Sequence, residues 1–311
     1  MKENYLYRYM NMLGYMDRPM WLDKYLSCPS LVRLKKIGYF CGMDYASKDI
    51  YDFGEKITRY DHSVNVALIT WMLTNDVRAT LAGLFHDIAT PCFSHVIDYM
   101  NNDYEKQEST EEKTEEILRN DKYLCECLDN DGILTDEIVD FKRYSIVDLD
   151  RPMLCADRLD GVILTGMFWT KSIDIFDVEN ILNNISVRIN EYGLNEIIIN
   201  DRDIALMVVD VSYDIDKYCH SKEDNFMMEL LAKITRRGID LGIISYDDLF
   251  VLDEDSLFMM FELCNDKDLL NDLELFKNIS KEMVPDVLMP KVKVRDLNPL
   301  VGNSRLKNRY E

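Results

Sequence analysis

The stretch 84–98, with the sequence LFHDIATPCFSHVID, constrains this chain most, because two of the chain's four histidines lie there beside carboxylates. Small and apolar residues at 80–85 are typical of a buried helix, which would deliver His86 and Asp87 to an interior site. Adjacent residues on a helix point about 100° apart, so these two can bind one ion only where the backbone relaxes at a helix end. Burying such groups is costly unless they are paired or bind a metal. The stretch therefore predicts a metal site.

A second helix is expected directly after this pair. Thr90 and Pro91 fit the N-cap and the first position of a helix over 91–100. His95 and Asp98 would then lie three residues apart, on one face of that helix. We therefore expect their side chains to be neighbours.

The charge and the cysteine content limit the classes of function. The 311 residues include 57 Asp and Glu against 36 Lys and Arg, which gives a net charge of −21. This charge argues against an extended nucleic-acid-binding surface, because such binding depends on neutralising phosphates. An anionic small substrate therefore needs a local basic pocket or a cation.

No apolar run could span a bilayer, the first residues do not resemble a signal peptide, and the eight cysteines lack disulfide-type spacing. A cytoplasmic location is expected.

Four residues follow the order of a family signature. His62, then His86 and Asp87, then Asp157 reproduce the H…HD…D order of the HD-domain metal-dependent phosphohydrolases, which the chain resembles. The likeness is strongest to the dGTPase-like, deoxynucleotide triphosphohydrolase branch. It is carried by RLKKI at 33–37, RYDHS at 59–63, HDIATPCFSH at 86–95, ADRLD at 156–160, YCH at 218–220 and KVRDLNP at 293–299.

The resemblance implies an all-α HD-domain helical bundle in which His62, His86, Asp87 and Asp157 hold one divalent ion. Two imidazoles and two carboxylates suit Mn, Fe, Ni, Zn or Mg, so the ligand set alone does not name the metal. The ion would polarise a phosphate oxygen and activate a water.

Other site residues are also implied by the resemblance. The phosphate contacts would be Arg59 and Arg158, for which guanidinium chemistry is suited. The phosphate-facing histidine would be His95, with Asp98 as its partner. Tyr218 would pack against the nucleoside, and Tyr39 stands where relatives have a glutamine that reads the sugar.

Besides Tyr39, further positions depart from the branch, including Thr90, which replaces a usual histidine. A histidine–glutamate pair of the relatives is replaced by Gln107 and Glu108, and a glutamine cannot transfer a proton. Gly161 stands in place of a tyrosine, and a basic phosphate-binding position is acidic, near Asp210. These differences argue against ordinary dGTPase activity.

Three functions therefore remain open from the sequence. The first is a metal-dependent phosphohydrolase acting on a nucleotide (dNTP-like) or a related phosphate ester. The alternative is a catalytically weak or inactive nucleotide-binding, regulatory HD protein, and the third is a helical interaction protein with core histidines. A small phosphorylated ligand is the expected partner, and a homo-oligomer is an open expectation.

Helical periodicity supports additional C-terminal helices and at most a small β element. It predicts helices over 30–37, from Asp61 onward and over 151–167, whereas 196–199 is β-type. The basic tail either packs on a partner subunit as an extended arm or is a partly ordered terminus. We divide the chain into an N-terminal helical segment (1–50), the HD-domain core (51–175), a C-terminal helical extension of the same site (176–284) and the basic tail (285–311).

Overall fold

The computed structural model describes residues 4–105, 113–286 and 292–306. These residues are mainly α-helical with a small β element, which confirms the predicted fold class. The first helices are α1 (Tyr5–Met12), α2 (Leu22–Leu26), α3 (Pro29–Arg33), α4 (Arg59–Thr74), α5 (Val77–Phe85), α6 (Val96–Met100), α7 (Thr114–Asn120), α8 (Lys122–Asp131), α9 (Asp136–Val139) and α10 (Ala156–Phe168). They are followed by α11 (Ile175–Asn183), α12 (Arg202–Cys219), α13 (Lys222–Asp240), α14 (Asp248–Val251), α15 (Glu254–Glu262) and α16 (Lys267–Asn278).

Two small antiparallel hairpins complete the described structure. Strand β1 (Ile185–Ile189) pairs with β2 (Asn195–Ile199), which contains the predicted β-type stretch. Strand β3 (Leu300–Val301) pairs with β4 (Ser304–Arg305) near the C-terminal end of the described chain. One buried apolar cluster extends from Leu6 in α1 to Leu306 after β4. The predicted division of the chain into four segments, with boundaries after residues 50, 175 and 284, stays a prediction.

The centre of the helical core is formed by α4, α5 and α10, which pack against one another through α4. Helix α4 begins two residues earlier than predicted, because the Thr58 hydroxyl accepts from the Asp61 N–H and the Asp61 carboxylate accepts from the Thr58 N–H. This capping box satisfies two N–H groups that would otherwise lack partners. It also places His62 in the first turn of the helix.

The predicted helix over 91–100 is wrong in its first half. Phe93 and Ser94 have φ values of 64° and 46°, in the left-handed region, and α6 begins only at Val96. The backbone N–H of Cys92 donates to Leu249 O at 2.7 Å, and that of Phe93 donates to Glu254 Oε1 at 3.1 Å. Tertiary hydrogen bonds from distant residues therefore override the local N-cap signal of Thr90.

Two predicted helices are shorter than expected. The helix over 30–37 is α3 followed by a 3₁₀ turn at Leu34–Lys36. The helix over 151–167 begins at Ala156, because the backbone N–H groups of Ala156 and Asp157 donate to Ile146 and Val147 of a preceding loop. The loop fixes where α10 starts, and thereby where Asp157 lies.

Residues 292–306 of the basic tail pack against their own chain. Val292, Leu297 and Leu300 are buried. Backbone N–H groups of this segment donate to Tyr104 O at 3.0 Å and to Pro152 O at 2.8 Å. The tail therefore reaches the core, and the idea of an arm on a partner subunit stays a prediction. Within the described residues, no helix combines the length and the apolar character needed to cross a membrane.

Candidate metal centre and its cavity

Two helix ends bring the predicted metal ligands together. His62 lies in the first turn of α4, and His86 is the residue that ends α5, with Asp87 in the turn that follows. The apolar side chains of α5 are buried, so the helix holds this end firmly in the core. Both imidazoles are buried, with exposures of 2% for His62 and 6% for His86. The pair therefore lies at a helix end, as the sequence required.

Each predicted imidazole ligand lies close to both predicted carboxylate ligands. His62 Nε2 is 3.0 Å from Asp157 Oδ1 and 3.8 Å from Asp87 Oδ2. His86 Nε2 is 3.5 Å from the same Asp157 oxygen and 3.7 Å from Asp87 Oδ1. Ligand atoms bound about 2.1 Å from a common ion lie roughly 3–4 Å apart. The separations fit this geometry, and Asp157 contacts both imidazoles.

The other ring nitrogen of each histidine is held by the protein. His62 Nδ1 is 2.6 Å from Asp160 Oδ2, and Tyr9 donates its hydroxyl to Asp160 Oδ1 at 2.6 Å. His86 Nδ1 donates to Gly83 O at 2.8 Å. Such contacts fix the tautomer and orientation of metal-binding imidazoles. They leave Nε2 of each ring for a ligand.

The donor set fits a divalent cation. Among the described residues, His86 Nε2 is a buried nitrogen that makes no hydrogen bond. A buried polar atom without a partner is costly, and a bound cation would remove that cost. His62, His86 and Asp87 offer donor atoms within 4.8 Å of one another. These observations support a metal site, with the identity of the metal left open.

The electrostatics of the site also favour a cation. Burial works against the charged form of His62, but hydrogen bonds to Asp157 and Asp160 outweigh it and raise the His62 pKa to about 10. Burial also opposes ionisation of Asp87, yet His86, Arg59 and His62 lower the Asp87 pKa to about 2. The Asp87 carboxylate is therefore ionised at neutral pH, and it stabilises positive charge beside it.

Arg59 and Tyr39 lie beside the ligands. Arg59 Nη1 donates to Asp87 Oδ2 at 3.0 Å, and its Nε donates to Ser94 Oγ at 3.1 Å. The Tyr39 ring centre is 5.2 Å from that of His62 and 5.0 Å from the Arg59 guanidinium carbon. Both residues line the cavity. Their predicted contacts with phosphate and sugar stay predictions.

His95 and Asp98 are neighbours, although not through the predicted helix. His95 precedes α6, and its Nδ1 is 2.8 Å from Oδ2 of the fully buried Asp98. His95 lines the cavity, so its ring is accessible to a ligand there. Gln107 and Glu108 lie outside the described residues.

Arg158 and Tyr218 differ in their relation to the cavity. Arg158 lines it, and its guanidinium donates to the carbonyls of Leu149, at 2.7 Å, and Met153. Tyr218 is 44% exposed and is not among the lining residues, but its ring centre is 5.7 Å from that of Trp169, which does line the cavity. A direct contact of Tyr218 with a nucleoside stays a prediction.

The cavity contains residues that the sequence analysis did not assign to the site. It has a volume of about 780 Å³, and Arg151, Lys293 and Arg295 line it together with the predicted ligands. Asp160 was also missed, although its spacing of three residues from Asp157 on one helix was a usable signal. No local signal in the sequence connects Tyr9 to Asp160 or Arg295 to the cavity.

Comparisons with known proteins agree with this geometry. Residues 59–159 match the family model of the HD domain. The chain is 27% identical over 206 residues to the uncharacterized protein YdhJ of Bacillus subtilis, an alignment that covers 65% of this chain and 60% of that protein. It is 21% identical over 191 residues to the metal-dependent phosphohydrolase cns2 of Cordyceps militaris, with 61% of this chain and 54% of that protein covered.

The aligned region thus spans less than two thirds of each of these relatives. The dGTPase-like branch stays a prediction, since neither name specifies it. The segment that matches the family model contains His62, His86, Asp87 and Asp157, which the structure brings together. These findings support placing this segment in the HD superfamily.

Proposed function

We propose that this protein is a metal-dependent phosphohydrolase that acts on a phosphate ester, with a nucleotide as the preferred substrate class. The observation that carries the proposal is the convergence of His62, His86, Asp87 and Asp157 at a cavity. The chemistry that a divalent cation supplies in such a site is polarisation of a phosphoryl oxygen and activation of a water.

The chain's own residues would bind and orient the phosphate. Arg59 is fixed by Asp87 and Ser94, so its guanidinium needs little reorganisation to donate to a phosphate oxygen. His95 is held through Nδ1 by Asp98, which leaves its Nε2 for proton exchange with an oxygen of the ester. This pair is our candidate for protonating the leaving group.

The walls of the cavity support a nucleotide as the substrate. Tyr39, Phe40 and Trp169 supply aromatic surface, and several Arg and Lys side chains line the same cavity. Aromatic rings suit a base or a sugar, whereas guanidinium groups suit phosphate. A volume of about 780 Å³ is in the range of small-molecule sites.

A regulatory, weakly catalytic protein is the second candidate. The position of Tyr39 favours it, because the ring centre lies 5.0 Å from the Arg59 guanidinium carbon and 5.2 Å from the His62 ring centre, and so occupies space beside the predicted ligands. A ligand could then bind without reaching the position needed for hydrolysis. This candidate predicts stabilisation of the folded chain by nucleotides with no product formed.

A metal and substrate screen tests the proposal. Purified protein is analysed for bound metal, then assayed for phosphate release from nucleotides and phosphomonoesters with Mn, Mg, Co and Ni. We expect metal-dependent release by the wild type and none by His86→Ala or Asp157→Ala. The matched control is Arg119→Ala, because Arg119 pairs with Glu115 and Asp136 on the surface, outside the cavity lining.

Each outcome of this screen has a clear meaning. Release that His86→Ala abolishes and Arg119→Ala retains supports the phosphohydrolase. Nucleotide-dependent thermal stabilisation without release by the wild type supports the regulatory protein. Protein that binds neither metal nor nucleotide would refute both.

A further inference from the structure

Three arginines of the cavity lack a hydrogen-bonded carboxylate. Arg151 Nη1 donates to Asp296 O at 3.1 Å, Arg158 donates to two carbonyls, and Arg295 Nε donates to Cys219 Sγ at 3.2 Å. Within the described ranges, the one carboxylate within 4 Å of these guanidinium groups is that of Asp148, 3.8 Å from Arg158.

The C-terminal segment holds Arg295 beside Arg151. The backbone of Arg295 is fixed on both sides, since its N–H donates to Asp216 Oδ1 at 2.7 Å and its carbonyl accepts from Ser212 Oγ at 2.9 Å. The backbone carbonyl of Asp296, the next residue, accepts the hydrogen bond from Arg151. Two residues from distant parts of the chain therefore line the same cavity and are joined by a hydrogen bond from one to the neighbour of the other.

This arrangement concentrates positive charge on two half-buried side chains. Burial and the charges of Arg158 and Arg295 lower the pKa of Arg151 to about 10. Like charges at short range repel, and a bound anion would compensate both the repulsion and the burial. In a chain with a net charge of −21, such a cluster is a local exception.

Nearby carboxylates do not remove this need for an anion. Asp224 lines the cavity near Arg295, but Tyr51 donates to it at 2.8 Å. Burial raises the pKa of Asp224 to about 7, so its negative charge is incomplete at neutral pH. Asp157 faces the two imidazoles. The guanidinium forks of Arg151 and Arg295 keep donors for another partner.

We infer that Arg151 and Arg295 form a second anion-binding position in the cavity, which binds a phosphate group apart from the predicted metal ligands. Planar guanidinium groups match phosphate oxygens with paired hydrogen bonds. The phosphate is either a second phosphate of the substrate or a free phosphate ion. A role in binding a second phosphate of the substrate rests on the proposed function, whereas the binding of a phosphate group at this position does not.

Calorimetry tests binding without any activity. Metal-depleted full-length protein is titrated with inorganic triphosphate and with orthophosphate. We expect Arg295→Gln and Arg151→Gln each to raise the Kd for triphosphate by roughly 10- to 100-fold, as expected for loss of charge-assisted hydrogen bonds. Arg295→Lys keeps the charge but not the fork, so its increase should be smaller.

The matched control is Arg119→Gln. Arg119 pairs with Glu115 and Asp136 on the surface, outside the cavity lining, so its loss changes the net charge equally and should not alter the Kd. Circular dichroism and thermal unfolding establish that each variant is folded. Wild-type affinity in folded Arg295→Gln and Arg151→Gln, or no binding to the wild type, would overturn the inference.

Kinetics separates the two sources of phosphate. If the position takes a second phosphate of the substrate, Arg295→Gln raises KM for a nucleoside triphosphate and leaves KM for p-nitrophenyl phosphate unchanged. If it takes a free ion, added orthophosphate changes the wild-type rate and has no such effect on Arg295→Gln. A wild type that binds triphosphate through Arg295 but hydrolyses nothing would refute the proposed function alone.

Discussion

The contact between His62 and Asp160 gives the sharpest test of the candidate metal centre. Asp160 is fully buried in α10, and it holds His62 through a 2.6 Å hydrogen bond while accepting another from Tyr9. Asp160→Asn is nearly isosteric. Its amide oxygen can accept from His62, and its NH₂ group can donate to the Tyr9 hydroxyl, so we expect the fold to survive. The substitution removes the charge that increases the basicity of the imidazole.

The expected effect is on metal affinity. Loss of a residue that orients a metal-binding histidine typically costs 10- to 100-fold in affinity, which corresponds to roughly 1.4–2.7 kcal/mol. Tyr9→Phe removes one neutral donor and leaves the carboxylate, so we expect a change of only a few-fold. The order of Kd values should be wild type, then Tyr9→Phe, then Asp160→Asn.

Competition with a chelating dye measures these dissociation constants for Mn²⁺, Ni²⁺ and Zn²⁺. Asp150→Asn is the control, because Asp150 is an exposed carboxylate of the cavity wall. The Asp150→Asn substitution removes the same charge, and Asp150 makes no hydrogen bond to His62 among the described contacts. If Asp160→Asn binds metal as tightly as Asp150→Asn, then Asp160 does not act through His62 and our description of the site is incorrect.

Three substitutions elsewhere test burial, packing and a buried ion pair. Burial raises the pKa of Asp224 from 3.8 to about 7, so the folded chain binds this proton more tightly than the unfolded chain does. The free energy of unfolding should therefore fall by up to roughly 4 kcal/mol as the pH rises from about 4 to 7. Asp224→Asn should flatten this pH dependence in urea unfolding, and a wild-type slope in the variant would contradict the assignment. Gly238→Ala would place a Cβ 2.5 Å from Phe261 Cε1, so we expect urea unfolding to show a loss of about 1–3 kcal/mol instead of the usual gain for Ala in a helix. Arg305→Met leaves the fully buried Glu196 carboxylate without its cation, and we expect a loss of about 3–5 kcal/mol that Arg305→Lys partly restores.

The sequence predicted the parts of the site that depend on local structure. His86 and Asp87 end a helix whose apolar residues are contiguous, and that pattern is readable without tertiary information. The family signature then identified His62 and Asp157 as further ligands, and the structure places their side-chain atoms 3.0 Å apart. The all-α class with a small β element followed from the same periodicity and resemblance.

Tertiary contacts decided what the sequence could not. The start of α6 depends on a hydrogen bond from the Phe93 N–H to Glu254, more than 150 residues away. The position of Arg295 depends on Asp216 and Ser212 in α12. Helical spacing carries no information about such partners. At this end of the chain the sequence predicted a basic tail and a family-like motif at 293–299, but no role in the cavity for Arg295.

The segment that matches the HD domain is not self-contained in this fold. Glu254 of α15 is fully buried and holds the Gly38 and Phe93 N–H groups at 3.0 and 3.1 Å, on the side of the site that bears His95. Glu196 of β2 accepts from the Leu154 N–H at 3.2 Å, on the side that bears Asp157. Arg305 forms an ion pair with the same Glu196 carboxylate. A carboxylate outside residues 59–159 thus anchors each of two loops next to predicted ligands or catalytic groups. The C-terminal part of the chain therefore positions the site as well as lining it, and changes there should alter ligand geometry without touching a ligand.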